Sequence, residues 1–90
     1  MLLRSLGVKT TGTGTKDLTR GVFGGALIST DNTNAAVVQI RKGNSAGEVI
    51  YDLSTKTAGF HAWGPIEADE IIYYSISGTG ASAQLFEYAP

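Results

Sequence analysis

Short runs of alternating apolar and polar residues recur along this chain about every ten residues, separated by turns rich in Gly and Asn. Glu48 to Ser54 (EVIYDLS) shows the alternation most clearly. Its Val49, Tyr51 and Leu53 fall on one predicted inner face, with Ile50 as the exception. No run has the period of an amphipathic helix. The pattern therefore predicts an all-β domain, a small antiparallel β-sandwich or jelly-roll of about six to seven strands.

The composition supports this prediction and limits the size of the fold. A chain of 90 residues is one domain, spanning 1–90. A domain of this size buries about 60–65% of the surface that its unfolded chain exposes, which is enough for one small core. Gly, Thr and Ser are abundant and favour short strands joined by turns. The chain has no Cys, which excludes disulfides and thiolate metal sites.

Two hairpins are predicted where two alternating runs flank a turn. Runs 35–42 and 48–54 form the first, and runs 71–77 and 82–88 form the second around Gly78-Thr79-Gly80-Ala81. The residues of the second hairpin that we expect in the core are Ile72, Tyr74, Ile76 and Leu85. Asp31-Asn32-Thr33-Asn34 is a further predicted turn, since Asn and Asp tolerate left-handed backbone geometry.

The first part of the chain is less regular. We expect residues 1–19 to form an N-terminal arm and a loop. Leu2 to Lys9 alternates weakly and predicts a short strand or an arm, whereas Thr10 to Thr19 (TTGTGTKDLT) is too polar and Gly-rich for a regular element. The two leading leucines could contact a neighbouring chain or close one end of the core.

Arg20 to Thr30 (RGVFGGALIST) predicts a strand that is covered on both faces. Val22, Ala26 and Ile28 fall on one face, and Phe23 and Leu27 fall on the other. The Gly24-Gly25 pair in the middle predicts a bulge or a close approach of another backbone segment.

The charge and hydropathy of the chain argue against nucleic acid and membranes as partners. The net charge is −1 with the charges scattered, which argues against binding of nucleic acid. No apolar run approaches the ~20 residues of a membrane span. The apolar stretch after Met1 is shorter than the ~7–15 residues of a signal peptide's hydrophobic region. We therefore expect a product of the cytoplasm without a nucleic-acid or membrane partner.

The polar residues do not form a recognisable catalytic or metal site. His61 is the only imidazole, and no neighbouring residue supplies a nucleophile or an acid, so we expect a hydrogen-bonded strand residue. The acidic stretch Glu67 to Glu70 lacks the alternating ligands and the sharp Gly turn of calcium loops. The sequence predicts a protein that is not an enzyme and has no cofactor, no metal and no small-molecule substrate.

Apolar residues on both faces of several strands suggest a surface for another chain, because one sandwich has one interior. Aromatic residues are favoured at the centres of interfaces. The candidate residues for a subunit or partner interface are Leu2, Leu3, Phe23, Trp63, Tyr73, Phe86 and Tyr88. Packing into the chain's own core is one alternative for these side chains. Sugar binding by stacking on Trp63, Tyr73 or Tyr88 is another.

The turn motifs of the chain resemble those of the small β-sandwich structural proteins of tailed bacteriophages. The residues that carry the resemblance are Ile40-Arg41-Lys42-Gly43, Ser45-Ala46-Gly47-Glu48-Val49-Ile50, Leu53, Ile72-Tyr73-Tyr74-Ser75-Ile76-Ser77-Gly78-Thr79-Gly80-Ala81 and Tyr88. The resemblance covers Gly43 to Ser54 and Glu70 to Tyr88 most clearly. The N-terminal third, with its TGTGT segment, lies outside it.

This resemblance implies a virion component of the capsid decoration or cement type. Such proteins sit on the outer capsid, commonly as trimers, and bind the major capsid protein. A tail or head-fibre component is the nearest alternative. A carbohydrate-binding or receptor-binding β-sandwich module would have similar sequence features.

Overall fold

The structure is a computed structural model that describes residues 2–19, 21–62 and 65–89. These residues form nine β-strands and no helix, which confirms the all-β class. The strands are β1 (Leu2–Ser5), β2 (Gly12–Asp17), β3 (Val22–Ser29), β4 (Ala36–Lys42), β5 (Val49–Thr55), β6 (Gly59–His61), β7 (Ile66–Glu67), β8 (Ile71–Ser77) and β9 (Ser82–Ala89).

The strands form two antiparallel sheets. Sheet A has the order β1-β9-β3-β6, and the short β7 also pairs with β3. Sheet B has the order β2-β8-β4-β5. Between the described strands, only β4–β5 is a hairpin; β6 and β7 stay in sheet A, and every other connection crosses to the opposite sheet. This alternation is that of a jelly-roll, so the predicted fold class is confirmed, whereas the predicted number of six to seven strands is too low for the nine that the described residues form.

The predicted hairpin of β4 and β5 is confirmed, but the predicted hairpin of β8 and β9 is wrong. Strand β8 lies in sheet B and β9 lies in sheet A, so the segment 78–81 crosses between the sheets. The turn itself is present, since the Ala81 N–H donates to the Gly78 carbonyl at 3.2 Å. Turn residues predict where the chain reverses, but they do not determine whether the flanking strands pair or face each other across the core.

The predicted loop over Thr10 to Thr19 is also wrong, because Gly12–Asp17 forms β2 at the edge of sheet B. Tyr74 of β8 lies across Gly14, where a Cβ atom would be 2.6 Å from the Tyr74 hydroxyl oxygen. Glycine therefore permits this close packing, although it disfavours a strand when judged by propensity alone.

The core lies between the two sheets and draws on both of them. Its buried apolar residues include Phe23, Ala26, Ile28, Val38, Ile40, Tyr51, Ile72, Ile76, Ala83 and Leu85. The inward orientation predicted for Ile72, Ile76 and Leu85 is confirmed, and Tyr74 is half-buried against the same cluster. The polar residues that alternate with them point away from the opposite sheet, as expected for strands with one buried face.

A bulge in β3 changes which face Phe23 occupies. The register of β3 with β9 shifts between Phe23 and Gly25, which confirms the bulge predicted at Gly24-Gly25. Because the bulge adds a residue, Phe23 points to the same side as Ala26 and Ile28. Phe23 is fully buried. Its predicted outward orientation, and with it a place on an exposed interface of this chain, is therefore wrong.

A second bulge alters the face predicted for Val49. The register of β4 with β5 shifts between Ile40 and Arg41, so that Tyr51 lies opposite Ile40 and Val49 lies opposite Arg41. Ile50 is the extra residue and packs partly against the core. Val49 is 38% exposed, so its predicted inward orientation is wrong.

The turn predicted at Asp31 to Asn34 is confirmed. The Asp31 carboxylate accepts hydrogen bonds from the backbone N–H of Thr33 at 2.9 Å and of Asn34 at 2.7 Å. Asn32 has a φ of 65° in the left-handed region. These hydrogen bonds from Asn34 and Thr33 lower the pKa of Asp31, because they favour the ionised carboxylate.

Candidate interaction surfaces

One row of apolar side chains runs across the outer face of sheet A. Residues that lie opposite each other in adjacent strands share a face. Leu3 lies opposite Tyr88, Leu27 lies opposite Phe60, and Phe86 is two residues from Tyr88 along β9. We call these five residues the outer apolar row: Leu3, Leu27, Phe60, Phe86 and Tyr88.

The outer apolar row is accessible and partly ordered by its own contacts. Phe60 is 44% exposed and Leu3 is 41% exposed, and the other three side chains are half-buried. The rings of Phe60 and Phe86, from strands on either side of β3, pack edge to face with centroids 5.3 Å apart. Edge-to-face packing is one of the preferred arrangements of two aromatic rings.

The structure brings together three of the residues predicted for an interface, namely Leu3, Phe86 and Tyr88. Tyr73 lies elsewhere, because it is on the outer face of sheet B, opposite Thr15 and Arg41. The interface candidates Tyr73, Phe86 and Tyr88 therefore lie on two different faces. For the same reason, Tyr73 and Tyr88 do not form one platform for stacking a sugar.

The side chains of two other predicted interface residues, Trp63 and Leu2, are outside the described part of the structure. Trp63 lies outside the described residues. The backbone of Leu2 pairs with Ala89 in sheet A, while its side chain is outside the described part of the chain. Phe60 and Leu27 were not among the candidates. Alternation places Leu27 on the same predicted face as Phe23, and Phe60 lies in an aromatic run, so the sequence contains a signal for both residues.

A buried carboxylate lies behind the outer apolar row, on the inner side of β9. The Glu87 side chain is 1% exposed, whereas the side chain of its ion-pair partner Arg4 is 59% exposed. Arg4 Nη2 lies 2.9 Å from Glu87 Oε2. Arg4 is opposite Glu87 in the pairing of β1 with β9.

Thr19, just beyond β2, completes the site around this carboxylate, which we call the Glu87 cluster: Arg4, Thr19 and Glu87. The Thr19 backbone N–H donates to Glu87 Oε1 at 2.7 Å, and the Thr19 hydroxyl lies 3.3 Å from Oε2. Arg4 also donates to the Thr19 hydroxyl at 2.7 Å. Both carboxylate oxygens therefore have donors, as a buried charge requires.

The Glu87 cluster ties three separate parts of the chain together. No buried side-chain nitrogen or oxygen in the described residues lacks a hydrogen-bond partner. The sequence prediction missed Glu87, although it has the same parity as the core residues Ala83 and Leu85 in β9. That parity indicates that Glu87 faces the core, and a buried carboxylate needs a cation such as Arg4, so the sequence contains a signal for this pair.

The polar residues considered for chemistry do not form a reactive site. His61 Nε2 lies 3.2 Å from the Thr57 carbonyl oxygen, and the His61 carbonyl accepts a hydrogen bond from the Tyr51 hydroxyl at 2.9 Å. Glu67, Asp69 and Glu70 are exposed. No group of three or more potential metal ligands and no ligand-sized pocket occurs among the described residues. Within the same residues, no helix has the length and apolar character needed to cross a membrane.

Comparison of this chain with protein-family models, with curated proteins and with solved structures finds no match.

Proposed function

We propose that this chain is a non-enzymatic structural protein of a virus particle, one that binds the outer capsid in many copies and stabilises it. Its partner is the major capsid protein, and we propose that the chain also associates with copies of itself, with a trimer favoured. It is made in the host cytoplasm and assembles onto the virion. The turn motifs shared with small phage structural proteins support this class. The jelly-roll is also compatible with it, although that fold serves both capsid and lectin domains and does not decide between them.

The observation that carries the proposal is the outer apolar row. It spans four adjacent strands of sheet A and includes two aromatic rings already in contact. The molecule measures 36 × 28 × 20 Å, and its two sheets stack about 10 Å apart. Its broad face therefore has room for the ~800 Å² per partner of a standard protein interface.

The mechanism follows from mass action. Each bound copy favours the assembled shell over the dissociated one, because it binds the assembled shell more tightly. Contacts with more than one subunit add through effective concentration, so that individually weak contacts hold firmly when they act together. The chain needs no reactive group for this function.

The experiment that tests the proposal compares two exposed apolar residues on opposite faces. Phe60→Ser changes the outer apolar row, and Ile71→Ser changes the outer face of sheet B at nearly the same exposure, 44% against 42%. Capsids of the virus whose genome carries this gene are incubated with each purified variant and sedimented. We expect Phe60→Ser to lose most of its binding and Ile71→Ser to bind like the wild type.

Two results would contradict the proposal. The first is a wild-type chain that is strictly monomeric by light scattering and does not sediment with the capsids. The second is equal loss of binding by both variants, which would show that sheet A is not the contact face. Gold labelling of whole virions distinguishes a capsid location from a tail or head-fibre location.

A further inference from the structure

The first strand is attached to the rest of the chain by a small number of specific contacts. Of the described strands, β1 pairs only with β9. Its successive side chains point to opposite sides: Arg4 reaches Glu87, and Leu3 lies over Gly24 on the outer face. A Cβ atom at Gly24 would be 2.5 Å from Leu3 Cδ2. The exposed edge strand is therefore held by its pairing with β9, by the contact of Leu3 with β3, and by the hydrogen bonds of Arg4 and Ser5.

The segment that follows β1 has more residues than it needs to span the distance between its two attachment points on β9. The Leu6 N–H donates to the Leu85 carbonyl at 2.8 Å, and Thr10 pairs through both backbone groups with Ala83 at 2.8 and 3.0 Å. Leu6 and Thr10 are four residues apart, whereas Leu85 and Ala83 are two apart on β9. Gly7, Val8 and Lys9 bow outward between these anchors, and Val8 is 80% exposed. Straightened, the steps from Leu6 to Thr10 reach about 14 Å.

We propose that β1 exchanges between copies of this chain, so that the Leu2–Ser5 strand of one molecule pairs with β9 of another and places its Arg4 on the other molecule's Glu87. Gly7 to Lys9 act as the hinge. Thr10 remains on its own β9, and Leu6 follows β1 onto the neighbour. The surface that receives the strand is the free edge of β9 together with the Glu87 cluster, and its partner is a second copy of this chain.

Charge complementarity and strand register identify this partner. Without β1, the Glu87 carboxylate would lose its cation and keep only Thr19 as a donor, and the edge of β9 would lose its hydrogen bonds. A strand that restores both must be extended and must carry a cation at the position opposite Glu87. The β1 of any copy meets both conditions. Exchange then conserves every contact of β1 except those of the hinge, such as the Lys9–Ser29 hydrogen bond.

The test uses pairs of single-cysteine variants of the full chain, which has no cysteine of its own. Leu3→Cys and Tyr88→Cys lie opposite each other in the pairing of β1 with β9. Equal amounts of the two variants, one carrying a tag that changes its mass, are mixed, incubated and treated with a short bismaleimide cross-linker. Exchange gives a mixed dimer on a denaturing gel, and its yield rises with protein concentration and incubation time.

Two further mixtures make the result specific. Leu27→Cys is also in the outer apolar row but lies on β3, which cannot exchange, so its mixture with Tyr88→Cys measures any face-to-face contact. In the other mixture, the Tyr88→Cys chain also carries Glu87→Gln. We expect the second change to speed formation of the mixed dimer severalfold, because the neutral amide holds the receiving chain's own Arg4 less firmly and its β1 leaves more readily. The double variant Leu3→Cys with Tyr88→Cys, kept dilute, must form an internal link and shows that the cross-linker fits.

A mixed dimer from Leu3→Cys that does not exceed the Leu27→Cys background would overturn the exchange. An unchanged rate of mixed-dimer formation with Glu87→Gln would overturn the role of the Glu87 cluster in holding the strand. The measurement contains no capsids, so its failure would leave the proposed capsid binding intact, and the sedimentation experiment would leave the exchange intact.

Discussion

Phe23 and Tyr51 pack edge to face across the interior, with ring centroids 5.2 Å apart and ring planes inclined at 68°. Phe23 belongs to sheet A and Tyr51 to sheet B, so this pair joins the two layers of the sandwich. The bulge at Gly24-Gly25 makes the contact possible, because without it Phe23 would face outward.

Replacement of Phe23 by Ala should remove a central contact between the sheets. We expect the free energy of unfolding to fall by about 3–5 kcal/mol, since a buried ring is lost and a cavity remains. Phe60→Ala is the matched control on the surface and should change it by less than about 1 kcal/mol. Urea denaturation followed by circular dichroism measures both. Equal losses would mean that Phe23 is not in the core.

Tyr51 should make stability sensitive to alkaline pH. Burial raises the pKa of Tyr51 from 10.0 to about 12. The unfolded chain therefore releases this proton at a lower pH than the folded chain does. The contribution of neutral Tyr51 to stability is complete below pH 10.0 and is lost as the pH rises toward about 12. Two pH units correspond to about 3 kcal/mol.

Tyr51→Phe isolates this effect. The variant loses the hydrogen bond to the His61 carbonyl, so we expect it to be less stable by about 1 kcal/mol at neutral pH. Because it has no phenol at this position, its stability should decline less between about pH 10 and pH 12, so that the wild type becomes the less stable of the two toward pH 12. Urea denaturation across this range measures the difference. Parallel curves would contradict the prediction.

Gly24 and Gly25 should respond very differently to the same substitution. Gly25 has a φ of +127°, and a Cβ atom there would lie 2.6 Å from the His61 carbonyl oxygen. Gly25→Ala should therefore reduce the free energy of unfolding by more than about 2 kcal/mol. The nearest atom to a Cβ at Gly24 is a terminal methyl of Leu3, which can rotate away, so Gly24→Ala should cost less than about 1 kcal/mol.

Thermal unfolding of the two glycine variants decides between these outcomes. A similar loss in both would show that the strained backbone at Gly25 is not what matters, and that any side chain in the bulge is equally damaging.

The ion pair of Arg4 and Glu87 should contribute more than an ordinary surface pair. Arg4→Gln leaves a buried carboxylate without its cation, and we expect a loss of about 1–3 kcal/mol. The double variant with Glu87→Gln should lose less than the sum of the single variants, because neither partner then leaves an unpaired charge. Urea denaturation of the four proteins gives the coupling energy.

Lys42 and Glu48 form the matched control for this cycle. They lie 3.6 Å apart, and the Glu48 side chain is 73% exposed. Glu48→Gln should change stability by less than about 1 kcal/mol. If the coupling energy of Arg4 and Glu87 is no larger than the loss of stability caused by Glu48→Gln, burial of the Glu87 carboxylate does not strengthen the ion pair.

Alternation in the sequence predicted the fold class and much of the core, because strands with one buried face have a period of two. It placed Ile72, Ile76 and Leu85 correctly. It misplaced Phe23 and Val49 because each lies next to a bulge, and one added residue reverses the parity beyond it. The sequence marked the first bulge with two glycines but did not give its exact effect on register.

The remaining errors arise from interactions between distant segments. Gly12–Asp17 is a strand because β8 pairs with it, and nothing within the segment itself indicates that partner. Segment 78–81 has the residues of a hairpin turn, yet its flanking strands find other partners. Glu87 is buried because Arg4 and Thr19 are brought to it from the other end of the chain, so only the pairing of β1 with β9 identifies the cluster.

The place of β9 in sheet A has a consequence for biosynthesis. This strand lies between β1 and β3, although it is the last of the described strands to leave the ribosome. Until residues 82–89 have emerged, β1 has no partner strand and β3 has partners only on its other edge, so one side of the core stays open. Sheet A must therefore be completed after translation of its other strands, and a nascent chain stalled before β9 would expose apolar residues to chaperones and proteases.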